Sequence, residues 1–179
     1  SKESQAGGDL NATHLDRCFE VLSAAYDPVY GGFGSEPKFP TPHALSYLLR
    51  YYQRTGEPRA LEMVTHTLTQ IRLSGTYDQI GWGIHRYSTD QEWLVPHFEK
   101  MLYDNGQIMG VFAKAFRASA KGTFLTAAEA VADFLEAEMK LSNGLFASAS
   151  DADSATPEAA REEGGYYTWT CPWKNYPSI

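Results

Sequence analysis

The sequence has little cysteine and no long apolar run. Its only two cysteines, Cys18 and Cys171, lie far apart and form no CxxC motif, so we expect no redox chemistry within the chain. Cys18 stands beside Phe19 on the apolar side of a predicted helix, which favours an inert buried thiol. No apolar stretch approaches the roughly 18 residues that span a bilayer, and no signal peptide is recognised. We therefore expect a cytoplasmic protein without a membrane partner.

Basic residues are also too few and too scattered to bind a chain of phosphates. The 15 Lys and Arg are outnumbered by 22 Asp and Glu, which gives a net charge of −7, whereas nucleic-acid binding needs a concentrated basic face. The spacings of a zinc site, a P-loop, a Rossmann turn and a GxSxG elbow are absent as well. The sequence therefore predicts no nucleic-acid partner, no metal and no cofactor.

Apolar residues at helical spacing are plentiful. Apolar types make up 43% of the chain, enough for the core of one domain. Their i, i+3, i+4, i+7 pattern predicts five helices. These run from Thr13 to about Tyr26, from Pro42 to Gly56, from Pro58 past Ile71, from Pro96 to about Ala120, and from Phe124 to Leu141. Each of the three prolines suits the first position of its helix.

Three similar glycine-containing segments separate the predicted helices. They are DPVYGGFG (27–34), TYDQIGWGIHRYS (76–88) and NGLFASASDADS (143–154), and they recur at about the length of a helical hairpin. This weak internal repeat predicts stacked antiparallel helix pairs with their loops on one face. Farther on, SATPEAAREEGG (154–165) has the composition of an exposed linker, and YYTWT (166–170) has that of a strand.

Polar groups with tunable pKa values are concentrated between Gly75 and Asn105. On the predicted fourth helix, Asn105 points with the apolar stripe, so its amide must be hydrogen-bonded. His97 and Asp104 lie seven residues apart on one flank, roughly 10 Å from each other. Glu99 and His97 would both lie in the first turn, where His97 can contact a ligand or act as an acid–base group. A surface or structural role for each of them is the alternative.

The turn before that helix adds further candidates. Asp78, His85 and Arg86 are brought close by two glycines, and strand alternation would place His85 and Tyr87 on one face and Arg86 on the other. Arg86 could bind a substrate or pair with Asp78 or Asp90. The rings of Tyr87, Trp82 and Trp93 could stack on a sugar or pack in the core.

Two aspartates near the end of the third loop form another candidate pair. Asp151 and Asp153 stand at i and i+2 of an extended segment, roughly 6 to 7 Å apart. That separation is compatible with paired carboxylates of glycoside chemistry. It is equally compatible with a Ca²⁺ site or with aspartates that cap a turn.

Several of these segments resemble one known family. YGGFGSEPKFPTP (30–42), YDQIGWGIHRYSTDQEWLVPHFEKMLYDN (77–105), FASASDADS (146–154) and EEGGYYTWT (162–170) are similar to segments of the YyaL-type, spermatogenesis-associated thioredoxin-domain proteins. The resemblance implies a thioredoxin-like domain followed by an (α/α) toroid like that of N-acylglucosamine 2-epimerases and six-hairpin glycosidases. This chain would contain about three of six hairpins and no thioredoxin part. Trp82 stands where the family has glycines, and the tail from Cys171 departs from the family.

Together these features predict a mainly α fold, a partial (α/α) toroid of antiparallel helical hairpins with short β-hairpin loops on one face. Residues 11–170 would form it, between a disordered tail (1–10) and an irregular one (171–179). Our hypothesis is a sugar-binding or sugar-processing fragment, by epimerisation or by hydrolysis. The catalytic groups would be His97, Glu99 and Asp78, and the ligand would be held by His85, Arg86, Tyr87, Trp93, Asp104, Asn105, Asp151 and Asp153.

The alternative hypothesis is a non-catalytic scaffold that serves a thioredoxin-like partner domain. A sugar site requires Asp78, His85, His97 and Glu99 to converge on one open pocket. Pairing of these groups with each other, with Arg86 or with Lys100 favours the scaffold. Half a toroid would also leave apolar helix faces exposed, which predicts self-association.

Overall fold

The structure, a computed structural model, describes residues 11–155 and 161–168. The predicted tails at 1–10 and 171–179, and with them Cys171, lie outside this range. The first three helices are α1 (Ala12–Ala25), α2 (Pro42–Thr55) and α3 (Pro58–Leu73). Asn11 caps the start of α1, because its side chain accepts a hydrogen bond from the Thr13 N–H. Pro42 and Pro58 open α2 and α3 as predicted.

The fourth predicted helix begins six residues later than expected. Helix α4 spans Leu102–Ser119, and the residues before it form two short strands, β2 (Pro96–His97) and β3 (Lys100–Met101). The prediction that His97 and Glu99 lie in a helical first turn is therefore wrong. Strand β2 pairs with β1 (Tyr87–Ser88), so the backbone of Pro96 is extended.

The fifth helix ends in a widened, π-helical segment. Helix α5 spans Gly122–Phe134 and continues as a π-helical turn over Leu135–Met139. Beyond it lie β4 (Ala149–Ser150), paired with β3, and β5 (Asp153–Ser154), paired with β6 (Glu162–Glu163). Glu162–Glu163 is thus a strand where a linker was predicted, and Tyr166 and Tyr167 lie in a turn where a strand was predicted.

The helices pack as hairpins around one apolar core. Only two residues connect α2 to α3 and α4 to α5, and each of these pairs is in contact, with α2 also packing on α4. Leu48, Leu68 and Phe112 are among the fully buried core residues. The predicted architecture of helical hairpins with short strand pairs is confirmed. Helix α1 is peripheral, since none of its residues is buried.

Cys18 does not fulfil the prediction of a buried thiol. It is exposed on α1, because this helix covers the core only partly. None of the helices in the described ranges is both long enough and apolar enough to cross a membrane.

The first two inter-helix loops repeat the same construction. A Tyr–Asp pair opens each loop, and each Tyr forms a β-bridge across its turn, Tyr26 with Phe33 and Tyr77 with Ile84. Asp27 and Asp78 each accept two backbone N–H groups of their own turn. Each Asp also pairs with a buried lysine, Asp27 with Lys38 at 2.6 Å and Asp78 with Lys100 at 2.7 Å. For two of the three similar segments found in the sequence, the internal repeat is therefore a structural repeat.

Candidate functional site

A cavity of about 260 Å³ opens where α2 and α4 begin. We call it the helix-end cavity. It is lined by Phe39, Pro40, Thr41, Pro42, His43, Arg86, Tyr103, Asp104 and Gln107. The N-terminal ends of both helices therefore reach one space, where their backbone N–H groups and dipoles favour negative charge.

Arg86 is fixed at this cavity by Glu99. Its guanidinium Nη1 lies 2.9 Å from Glu99 Oε2, and its backbone N–H donates to the Glu99 carbonyl at 2.8 Å. The predicted alternatives, an ion pair with Asp78 or Asp90, are wrong. Asp78 is bound to Lys100, and Asp90 accepts the backbone N–H groups of Glu92, Leu94 and Val95.

Asp104 is the most perturbed carboxyl group at the cavity. Its Oδ2 is buried and has no hydrogen-bond partner among the described residues. Desolvation raises the pKa of Asp104 to about 6, an effect that Arg86 opposes and Glu99 reinforces. A carboxyl with a pKa near neutrality can both give and take a proton at physiological pH, so Asp104 has the properties of an acid–base group.

Thr41 faces the same cavity in a strained conformation. Its φ of 43° and ψ of 56° place it in the left-handed region, which a β-branched residue rarely adopts. Its Oγ1 is buried without a partner in the described part of the chain. Strain of this kind is concentrated at functional sites, and Thr41 places such a strained residue at the edge of this cavity.

His97 and Tyr87 form a wall beside the Arg86–Glu99 pair. Their rings stack at 5.0 Å between centroids, and Tyr87 in turn packs against Phe39 at 4.9 Å. His97 Nδ1 lies 2.6 Å from Glu163 Oε1, and its Nε2 lies 3.9 Å from Glu99 Oε2. His97 is therefore held between two carboxylates.

Asp78 and His85 belong to a different cavity. This space of about 440 Å³ includes Phe98 and Tyr167 in its lining. Lys100 Nζ donates to Asp78 Oδ2 and to the Trp82 carbonyl, both at 2.7 Å. Burial alone would raise the pKa of Asp78, but hydrogen bonds from Lys100 and the turn hold it below its ordinary value. Asp78 is thus a paired, ionised carboxylate.

His85 is a neutral imidazole. Burial, reinforced by the charge of Lys100, lowers its pKa to about 4. Its Nδ1 lies 3.0 Å from the Phe98 carbonyl, which fixes Nδ1 as the protonated nitrogen and leaves Nε2 as an acceptor. The four residues expected to converge therefore divide into two groups, with Asp78 and His85 in one and His97 and Glu99 in the other.

Two predicted ligand-holding residues are structural. Trp93 is fully buried, and its indole N–H donates to the Tyr30 carbonyl at 2.9 Å, so its ring packs in the core and offers no face to a ligand. Asn105 is fully buried with an inward amide, as predicted. It accepts from the Ile84 N–H at 2.7 Å and donates to the Ile84 and Met101 carbonyls at 3.0 Å each.

Asp151 and Asp153 are exposed and line a separate cavity, of about 280 Å³, together with Asp78 and Lys100. Arg161 pairs with Asp151, and its Nε lies 4.0 Å from Asp153 Oδ2. The Asp153 N–H also donates to Asp151 at 3.1 Å, which is the turn arrangement left open by the sequence. These carboxylates lie apart from the helix-end cavity.

Sequence analysis missed Thr41, His43, Tyr103 and Gln107 at the cavity. Each belongs to the first turns of α2 or α4 or to the residue just before them. Pro42 follows Thr41 and favours the first position of a helix, so the sequence did indicate that Thr41 lies at a helix start. Tyr103 and Gln107 carried no signal, because the predicted helix began too early and placed them within its length.

The chain is similar to a named human protein. Spermatogenesis-associated protein 20 of Homo sapiens is 42% identical over 165 residues, which cover 89% of this chain and 21% of that protein. The chain thus spans about a fifth of the length of the curated relatives it matches. No protein-family model matches the sequence.

Several proteins of known structure have a similar fold, and their names describe enzymes that act on sugars. A sugar epimerase from a ruminal bacterium has a TM-score of 0.68 at 17% identity, covering 78% of this chain and 40% of that one. Cellobiose 2-epimerase from Spirochaeta thermophila gives 0.67 at 21% identity, covering 77% and 37%. An unsaturated glucuronyl hydrolase specific for heparin gives 0.61 at 10% identity, covering 78% and 43%. At these identities the likeness shows the fold alone.

Sequence and fold agree with the resemblance stated above. The chain is a homologue of one segment of spermatogenesis-associated protein 20, folded as part of an α/α toroid of the kind found in sugar 2-epimerases.

Proposed function

We propose that this segment binds a sugar in the helix-end cavity and that Asp104 exchanges a proton with it. The single observation that carries the proposal is the Asp104 carboxyl, which is buried with an unpartnered oxygen and has its pKa raised to about 6. Leaving such a group unsatisfied costs roughly 1 to 3 kcal/mol. A hydroxyl group of a bound sugar would satisfy that oxygen.

The surrounding side chains suit a polyhydroxylated ligand. Arg86 presents guanidinium N–H donors held in place by Glu99. Phe39 and Tyr103 are half exposed and line the same cavity, and aromatic rings pack well on the apolar faces of sugars. In this proposal Arg86 and Tyr103 orient the ligand and Asp104 acts on it.

Two reaction types fit these groups. Epimerisation next to a carbonyl needs a base with a pKa near neutrality, for which Asp104 is the candidate, and a second group that returns the proton to the opposite face of the carbon, for which His97 is the candidate. Glycoside hydrolysis needs two carboxyl groups, for which Asp104 and Glu99 are the candidates. His97 is a proposed helper in either reaction, because its ring lies beside Glu99. Fold likeness to both epimerases and a hydrolase supports sugars as the ligand class and does not choose between the two.

The test is sugar binding and turnover by the chain with Asp104→Asn. We expect a panel of hexoses and N-acetylhexosamines to shift the amide NMR signals of Arg86 and Tyr103 in the unchanged chain. Asp104→Asn, which keeps size and shape, should abolish exchange of the sugar's C2 hydrogen with D₂O, or hydrolysis of a glycoside, while the protein stays folded. His97→Gln is the second variant, and Asp133→Asn, on the exposed face of α5, is the matched control. Full turnover by Asp104→Asn would contradict the assignment of Asp104 as the acid–base group.

The second candidate function is a non-catalytic scaffold for a thioredoxin-like domain. The Asp78–Lys100 and Arg86–Glu99 pairs favour it, because groups expected to act on a sugar satisfy one another. Amide NMR signals that stay unchanged with every sugar, but shift when the thioredoxin-like domain of a relative is added, would support the scaffold. A cytoplasmic location and self-association stay predictions.

A further inference from the structure

A second cavity continues from the helix-end cavity along the groove between α2 and α4. We call it the groove cavity, and its volume is about 480 Å³. Pro42, His43 and Gln107 line both cavities, so the two spaces adjoin. A ligand larger than a single sugar ring, or a ring with a substituent, could occupy both.

The groove cavity is basic on an otherwise acidic protein. Arg50 and Lys114 line it, and no acidic side chain does among the residues that the structure describes. Lys114 Nζ makes one weak hydrogen bond, to Ser46 Oγ at 3.3 Å, and within the described ranges neither cation forms an ion pair. The whole chain has a net charge of −7. Among its described lining residues the groove carries two cations and no carboxylate, so its local charge is positive and attracts anions.

Two glycines keep the wall of this groove open. Gly106 and Gly110 lie in the interior of α4 and line the groove cavity. Glycine is a poor helix-interior residue, yet a Cβ at either position would meet nothing within 4 Å. Packing inside the described structure therefore does not require them. Their effect is to leave space in front of Arg50 and Lys114.

We propose that the groove cavity binds the anionic group of an acidic sugar, a carboxylate or a phosphate, whose ring lies in the helix-end cavity. This inference rests on the proposed function and names its ligand class. Arg50 supplies a planar fork of donors suited to either anion, and Lys114 supplies a point charge. Asp104 lines the helix-end cavity, next to Arg86, and does not line the groove cavity.

The test compares glucose, glucuronate, glucose 6-phosphate and inorganic phosphate by calorimetric and NMR titration of this chain. We expect one or both acidic sugars to bind at least about tenfold more tightly than glucose, the order expected for a charge-assisted hydrogen bond. The two acidic sugars distinguish a carboxylate from a phosphate site. The double variant Arg50→Gln/Lys114→Gln should remove that advantage and leave glucose binding unchanged. Arg117→Gln, one turn beyond Lys114 and also exposed, should change neither.

The possible outcomes separate this inference from the proposed function. Equal affinity for glucose and for both acidic sugars, with shifts at Arg86, would overturn the basic-groove inference and leave the sugar site standing. The same conclusion follows if Arg117→Gln weakens acidic sugars as much as the double variant does. Inorganic phosphate that binds as tightly as glucose 6-phosphate would overturn the claim that a sugar carries the anion. No binding of any sugar would overturn both proposals. Retained amide dispersion in each variant shows that the fold is intact.

Discussion

Asp104 is held in an environment that disfavours its own charge. The folded protein keeps its carboxyl at a pKa of about 6, whereas an ordinary aspartate has 3.8. Below 3.8 the group is protonated in both the folded and the unfolded chain and contributes no difference. As the pH rises from 3.8 through about 6, the unfolded chain loses its proton first, so the folded state loses stability over that window.

Asp104→Asn should therefore stabilise the protein at neutral pH. A shift of about two units corresponds to about 3 kcal/mol, and because water screens the partly buried group we expect roughly 1 kcal/mol. Urea unfolding of both proteins between acid and neutral pH measures the difference, which should vanish below the ordinary aspartate pKa. A destabilised Asp104→Asn at neutral pH would show that the charged form makes favourable contacts. Gain of stability with loss of turnover would be the expected pattern of a functional group.

Asn105 has the opposite role, because all of its contacts stabilise the fold. Replacing it with Ala removes the partner of the buried Ile84 N–H and the donor to two carbonyls. We expect a loss of about 2 to 4 kcal/mol in the free energy of unfolding, since one unsatisfied buried group alone costs roughly 1 to 3. Urea unfolding checks it, with Gln107→Ala, an exposed residue of the same helix, as the control. A loss no larger than that of the control would contradict the buried network.

The sequence predicted which polar side chains lie near one another better than it predicted how they pair. His97, Glu99, Arg86, Tyr87 and Asp104 do lie near one another, as their concentration suggested. Their partners were not predictable, because two-residue strands and loop turns carry no periodicity from which to read which charges meet. Trp93 was unpredictable for a similar reason, since its burial depends on the Tyr30 carbonyl in a distant loop.

At the scale of whole elements, prolines were reliable guides in two helices and misleading in a third. Pro42 and Pro58 stand at helix starts, each with a long apolar stripe after it. Pro96 is followed by Phe98, Met101 and Leu102. These apolar residues have the spacing of a helix, although the backbone of Pro96–His97 and Lys100–Met101 is extended. The competing factor was pairing with Tyr87–Ser88 across the loop 89–95, for which the sequence contains no pattern.

The glycines of α4 provide a prediction at this scale. Gly106→Ala and Gly110→Ala should each stabilise the helix by up to about 1 kcal/mol, because the added Cβ meets no neighbour. Gly83→Ala is the matched contrast: its φ is +75° and its Cβ would lie 2.6 Å from the Phe134 ring, so it should destabilise. Thermal and urea unfolding measure all three. Destabilised Gly106→Ala and Gly110→Ala proteins would indicate that something already packs against this groove.

At the scale of the whole molecule, the repeated loops are anchored by two buried lysines. Lys38→Met or Lys100→Met would leave Asp27 or Asp78 buried without its cation, which typically costs about 3 to 5 kcal/mol. Lys140→Met removes only an exposed pair with Glu136 and should change stability by about 0.5 kcal/mol or less. Midpoints of urea unfolding for the three variants check the comparison. Similar midpoints for Lys100→Met and Lys140→Met would show that the second loop does not depend on its buried pair.

The anchoring of the first loop also crosses from one repeat to the next. Lys38 Nζ donates to the Gln91 carbonyl, and the backbone groups of Lys38 pair with those of Ser88 in the second loop. In the same way, the Leu102 N–H at the end of the second loop donates to the Ser148 carbonyl in the third. The first two loops therefore complete these hydrogen bonds only after the following hairpin has formed. The chain should consequently unfold in a single cooperative transition, unlike an open solenoid whose repeats can open one by one.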